Sequence, residues 1–369
     1  MREMSGRERA IRTMNFEPVD RLPIMANMLP PWFVQQVTGI PEEEYWRDQL
    51  SAHIRSMHVL GMDFHIQNWY PVRKETERDW SRGELAHWND PDNVVADIEL
   101  RIAEMARRWQ DLAADAGARE TRIQEICAHQ LDMQNRLTER VFWPFGMDQY
   151  GPHPLSFGYE TYGYEGYFQA CALYPDVLDR YWSAAACLAG WHNACVVEAA
   201  CRLNWPRIGY LGEDMTDQRG NMVSPRFMAR CFFPHLDTAL APLVQAGFKL
   251  VWHSDGNMNA LLRPLIDVGI AGFQGFQEEC GTRIADVAHL RARNGDPLLL
   301  WGSVSVINVV GPGTPDDIRR EVQRVLDDWP YPGLCLGTAS YVPPDTRSEN
   351  IHALYDWMRT LGASVHRGS

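Results

Sequence analysis

The chain has 369 residues, with 35 Lys+Arg against 48 Asp+Glu and a formal net charge of −13. That acidic balance argues against nucleic-acid binding, which rests on basic patches. No apolar run reaches the roughly 18 residues of a membrane span, so no membrane partner is expected.

The opening MREMSGRERAIRTM is charged throughout and lacks the apolar core of a signal peptide. Eight cysteines show no CxxC pair, which suits buried thiols in a reducing cytoplasm. A short amphipathic helix precedes a strand at RLPIMAN (21–27), followed by a helix over 43–61 and a strand at MDFHIQNW (62–69). A helix-rich stretch with mixed charges then leads to a strand at RVFWPFG (140–146) and a long helix from about Pro175 to Arg202.

The second half alternates regularly. Strand RIGYLGE (207–213) leads to a helix opened by Ser224-Pro225 and closed by Gly247. Strands follow at 248–253, 272–277, 297–302 and 333–338, with helices expected at 258–269, 282–295, 314–329 and 348–362. Repeated strand–helix units near eight in number predict one (β/α)8 barrel domain over 1–369, with an N-terminal extension and a helical insertion at 71–139. An open doubly wound sheet is disfavoured, because no GxGxxG follows the first strand.

Chemistry in such a barrel sits at the C-terminal strand ends. Those positions hold Asn68 and Tyr70, then Glu213 and Asp214, then His253 and Asp255, then Gln277, Glu278 and Glu279, then Ser303, then Ser340. Carboxylates gathered at one mouth repel unless a metal, a proton or a cationic group compensates. His253 and Asp255 are two apart, so both face one side of a continuing strand and suit one metal or a base with its neighbour. Taken singly, Asp214 or Asp255 could equally cap a helix and His253 could be a core histidine. Recurrence at one end of successive strands favours catalytic roles for His253, Asp255, Asp214 and Glu278. Aromatic-rich segments FWPFGMDQY and FGYETYGY nominate Trp143 and Tyr159, with Asn68, Tyr70, Ser303 and Ser340, as the lining of an aromatic substrate pocket. There is no HExxH, P-loop or GxSxG.

The opening RERAIRTMNFEPVDRLPIMAN, the segment GEDMTDQRGNMVSPRFMARCFFPHL, HSDGN, WGSVS, TPDDIRREV and VPPDTRSENIHAL together resemble the uroporphyrinogen decarboxylase superfamily. The resemblance implies a distorted (β/α)8 barrel with one of two chemistries. These are cofactor-independent decarboxylation of uroporphyrinogen and methyl transfer involving corrinoid proteins. The decarboxylases carry an Arg-rich segment after the first strand, where this chain reads MANMLPPWFVQQ, and a catalytic Asp where this chain offers Asn68 and Tyr70. Decarboxylation of a tetrapyrrole or another carboxylated molecule is therefore the alternative, and a non-catalytic binding barrel the second one.

The methyltransferase branch matches better. Its thiol-activating members bind zinc through His-x-Cys and a late Cys; here His253 matches, but Asp255 and about Ser340 stand at the Cys positions. The resemblance then implies a harder Zn2+ site from His253 and Asp255 with Glu213 or Glu278. No DxHxxG cobalamin signature is present, so a corrinoid would arrive on a partner protein. A small-molecule methyl donor and a homodimer complete the expected partners.

Overall fold

The computed structural model describes residues 2–26, 28–66, 70, 86–330 and 332–363. Its strands are β1 (Met25–Ala26), β2 (Phe64–His65), β3 (Ile208–Gly212), β4 (Thr216–Asp217), β5 (Gly220–Asn221), β6 (Lys249–His253), β7 (Ile270–Gln274), β8 (Leu299–Trp301) and β9 (Leu334–Cys335). β3, β6, β7, β8 and β9 form one parallel sheet in that order, and β1 pairs parallel with β2. Parallel bridges Phe64↔Phe142, Phe145↔Gly209 and Ile24↔Leu336 join these pieces around a ring of eight staves. The stave at Phe142–Phe145 is the third. The (β/α)8 expectation holds, and β4 and β5 form a small antiparallel hairpin outside the ring.

The staves read as continuous apolar text because both faces are buried, one by helices and one by the barrel interior. Aromatic rings pack that interior: Trp301 lies 5.1 Å from Phe64 and 5.7 Å from Tyr210 between centroids. The Tyr210 hydroxyl, buried with them, donates to Gln274 Oε1 at 3.0 Å.

Within 71–139, the described part forms two long helices, Pro91–Ala114 and Ala118–Leu137. The second lies against the third stave. Its Gln134 accepts from the Trp143 N–H at 3.0 Å and donates to the Val141 carbonyl at 2.9 Å, while Gln130 donates to the Trp143 carbonyl at 3.2 Å. Side-chain amides thus satisfy backbone groups that a longer ladder would otherwise pair. The helix expected at 282–295 shrinks to Ile284–Val287, because the chain from Ala292 turns back at Asn294-Gly295 and donates from Ala292 N–H to the Asp296 carbonyl. The helix opened by Ser224 continues to Gln245 but contains a π-helical turn at Met228–Phe232. Among the described residues, no helix is long and apolar enough to cross a membrane.

The opening motif explains itself at the N-terminal face of the barrel. Asp63, just before β2, is buried and held by Arg9 (2.5 Å), Arg21 (2.6 Å) and the Ile24 N–H (2.8 Å). Arg9 also grips Asp20 at 2.7 Å. The first helix (Gly6–Met14), β1 and β2 are therefore tied through one charge network. Burial opposes the charged form of Asp20, but hydrogen bonds from Arg9 and the Met4 N–H, with the Arg9 charge, outweigh it and lower its pKa to about 2. A depressed carboxyl stabilises the fold above its unfolded pKa near 4 and loses that contribution as pH falls toward 2. Asp20→Asn should therefore be less stable than the parent at pH 6, with the difference shrinking between about pH 4 and 2. Thermal unfolding across that range reads it directly.

Candidate active site

β3 and β6 are neighbours in the ring, with Gly212 opposite His253. Their C-terminal ends bring three side chains together: Asp214, His253 and Asp255. One donor atom from each lies within 4.8 Å of the others. His253 Nε2 is 3.8 Å from Asp214 Oδ1, which also accepts the Asp255 N–H at 2.8 Å. Gly212 permits this approach, since a Cβ there would sit 2.4 Å from the His253 carbonyl oxygen. Burial first, then the charges of Asp214 and Glu279, push the Asp255 carboxyl up to about 6 against the opposing pull of His253.

The loop after His253 is fixed from two sides. Gly256 takes φ +90°, donates its N–H to Gln277 Oε1 at 3.0 Å, and packs against the Thr216 backbone, 2.8 Å from where a Cβ would sit. Gly256→Ala would require both a disfavoured φ and displacement of main chain. We expect a loss of about 1–3 kcal/mol in stability, read by thermal unfolding.

Other residues expected at the site fall elsewhere. Glu278 stands outside the three-residue cluster: one oxygen accepts the Ile284 N–H at 2.8 Å and the other pairs with Arg324 at 2.5 Å. Glu213 also stands outside the cluster. Its carboxyl accepts the Phe157 N–H at 3.0 Å, and burial raises its pKa to about 8. Trp143 is fully buried beside His65 and His129 and does not line the cavity at the triad, so it packs the core. Ser303 is also buried, its hydroxyl donating to the Phe276 carbonyl at 2.8 Å. The Ser340 carbonyl accepts from the Thr338 hydroxyl at 2.7 Å. Tyr70 stacks on His53 at 4.6 Å and its hydroxyl stands 3.4 Å from His65 Nε2. Asn68 lies outside the described residues.

Tyr159 does reach the triad. Its hydroxyl donates to the Asp214 carbonyl at 3.1 Å, and its ring stacks on Tyr164 at 5.0 Å. Tyr164, Met222, Thr216, Gln277 and Cys280 join Asp214 and Asp255 around a cavity of about 490 Å³. Tyr164 and Met222 were not singled out by the sequence pattern. Tyr164 shares the FGYETYGY segment with Tyr159, while Met222 arrives on the β4–β5 hairpin, which strand-end counting does not see.

The triad fits a divalent cation. Two carboxylates and one imidazole supply a donor set that Zn2+ accepts. Asp255 Oδ1 and His253 Nδ1 are buried without a hydrogen-bond partner, as groups awaiting a ligand are. Arg219, the arginine lining this cavity, is paired with Asp217 at 2.8 Å.

Residues 214–361 match the family model described as uroporphyrinogen decarboxylase (URO-D). No curated protein sequence matches the chain. Among solved structures, a methyltransferase from Methanosarcina mazei aligns with a TM-score of 0.58 and 16% identity, over 97% of this chain and 99% of that one. At that identity the likeness speaks for the fold. Its coverage extends the barrel comparison to the first half, before the family match begins. The family match thus begins at Asp214, the first residue of the triad, and runs through Leu361, taking in His253 and Asp255.

Proposed function

We propose that this protein is a methyltransferase that moves a methyl group between a small O- or N-methylated molecule and a corrinoid carried by a partner protein. The observation that carries the reading is the Asp214–His253–Asp255 cluster at the mouth of the barrel, with a buried carboxylate oxygen left unpartnered. A divalent ion such as Zn2+ held there would supply Lewis-acid assistance to the leaving oxygen or nitrogen. The three side chains hold their places through the β3–β6 register and the Asp255 N–H bond to Asp214. Tyr159 fixes the Asp214 main chain from the opposite side. Tyr164 and Met222 give the cavity an apolar wall against which a methyl-bearing group can rest. Eight free cysteines suit a reducing compartment, and we place the reaction in the cytoplasm.

Decarboxylation of a polyanion finds less support. Arg207 donates to the Ala246 carbonyl at the far end of β3, and Arg219 is neutralised by Asp217. No second arginine among the described residues lines the triad cavity. The test is anaerobic incubation with cob(I)alamin and candidate methyl ethers or methylamines, followed in the visible spectrum. Conversion to methylcobalamin that requires His253 supports the reading, and an unchanged spectrum with every donor counts against it.

A further inference from the structure

A cavity of about 800 Å³ lies between the two helices of the insertion (Pro91–Ala114 and Ala118–Leu137) and the long helix Pro175–Leu203. It shares no lining residue with the triad cavity. The small side chains of Ala185 and Ala189 keep it open, and Met105, Leu112 and Leu188 give it apolar walls. His153 and His192 also line it, their rings stacked with 3.7 Å between centroids. Both rings meet a carbonyl through Nε2, His192 that of Gly151 at 2.8 Å and His153 that of Gln149 at 3.2 Å. A carbonyl only accepts, so each Nε2 carries the proton and each Nδ1 is the acceptor. The Arg122 Nε–H fills the His192 acceptor at 3.2 Å, whereas His153 Nδ1 has no partner among the described residues. Burial first, then the charges of Arg122 and Arg108, lower His153 to about 4, and burial with the stacked His153 lowers His192 to about 3. Both rings are therefore neutral at pH 7.

The charged groups of the cavity are not equivalent. Arg122 is committed, since besides His192 it pairs with Glu125 at 2.8 Å and donates to the Gln149 carbonyl. Asp115, the other carboxylate on the rim, accepts the Gly117 N–H at 2.8 Å. Arg108, exposed at the rim, makes neither a hydrogen bond nor an ion pair among the described residues, yet its charge reaches both imidazoles. The space thus offers one uncommitted guanidinium, one uncommitted neutral acceptor and apolar walls. A guanidinium favours an anionic oxygen, and a neutral imidazole nitrogen favours an O–H or N–H donor. We propose that this cavity is a second small-molecule site, which takes an organic anion with an apolar body and a hydroxyl group, the anion on Arg108 and the hydroxyl on His153. No residue of the triad takes part, so the proposal stands apart from the methyl-transfer reading.

Calorimetric titration of the full chain with 4-hydroxyphenylacetate and with the neutral 4-hydroxyphenylethanol tests it. The acid should bind about tenfold more tightly than the alcohol. Arg108→Gln removes a side chain that holds nothing else in place, and it should abolish that preference while leaving the alcohol unaffected. His153→Phe keeps a ring in the stack but loses the acceptor, and it should bring 4-hydroxyphenylacetate down to the affinity of phenylacetate. Ala185→Phe, which fills the space from the long helix, should weaken all three probes. Thermal unfolding of each variant checks that it is folded. His253→Ala should bind the acid as the parent does. No binding of the acid, an equal affinity for acid and alcohol, a preference that survives Arg108→Gln, or loss of binding in His253→Ala overturns the proposal.

Discussion

Replacing Asp63 by alanine is expected to destabilise the protein by about 3–5 kcal/mol, the largest stability loss of any single substitution considered. The carboxylate is buried and pairs with two guanidiniums, those of Arg9 and Arg21, while accepting the Ile24 N–H. Its removal leaves Arg9, itself almost fully buried, with only Asp20 and the Met4 carbonyl as partners. It also unties the first helix from β1 and β2 where the ring of staves closes. The contrast is an exposed pair such as Arg180–Glu99, whose loss through Glu99→Gln should change stability by less than about 1 kcal/mol. Urea unfolding of the two variants beside the parent distinguishes the cases. A change below about 1 kcal/mol for Asp63→Ala would show that the network does not hold the barrel together.

The second large effect concerns activity. His253→Ala and Asp255→Asn each remove one donor from a three-residue cluster whose members are spaced for a single ion. Each should lower methyl transfer by at least about a hundredfold and reduce bound metal, with little change in the unfolding midpoint. The small stability effect follows from the site itself, because two nearby carboxylates without a cation repel each other. Glu278→Gln offers the opposite pattern. It would weaken the contact with Arg324 and the cap on Ile284, lowering stability while leaving metal content at the parental level. Metal analysis of the purified variants separates the two behaviours.

The barrel was legible because its signals are local. Each stave is a short apolar run bounded by a turn or a cap, and Ser224 and Thr314 both cap where the pattern places them. The triad was half legible. His253 and Asp255 stand together in one motif, and Asp214 joins them because β3 and β6 are adjacent in register, which follows once a barrel is assumed. The place of Glu278 outside the cluster was not legible, because its partner, Arg324, lies 46 residues further on and no local pattern announces it. Glu213 shows the same limit, since its neighbour Asp214 enters the cluster while its own carboxyl turns to the Phe157 N–H. The motif at the start of the chain could be matched to a family, yet its physical task required the position of Asp63. The helix expected at 282–295 failed because Asn294-Gly295 turns the chain back on itself before helical pairing can extend.

Methyl transfer to a corrinoid at the Asp214–His253–Asp255 cluster is the proposed reaction. Its most direct test follows an isotope-labelled methyl group from a methoxylated donor into cob(I)alamin, with parent and His253→Ala protein side by side. The account predicts labelled methylcobalamin with the parent and at least about a hundredfold less with the variant. Equal labelling by the two proteins would contradict it.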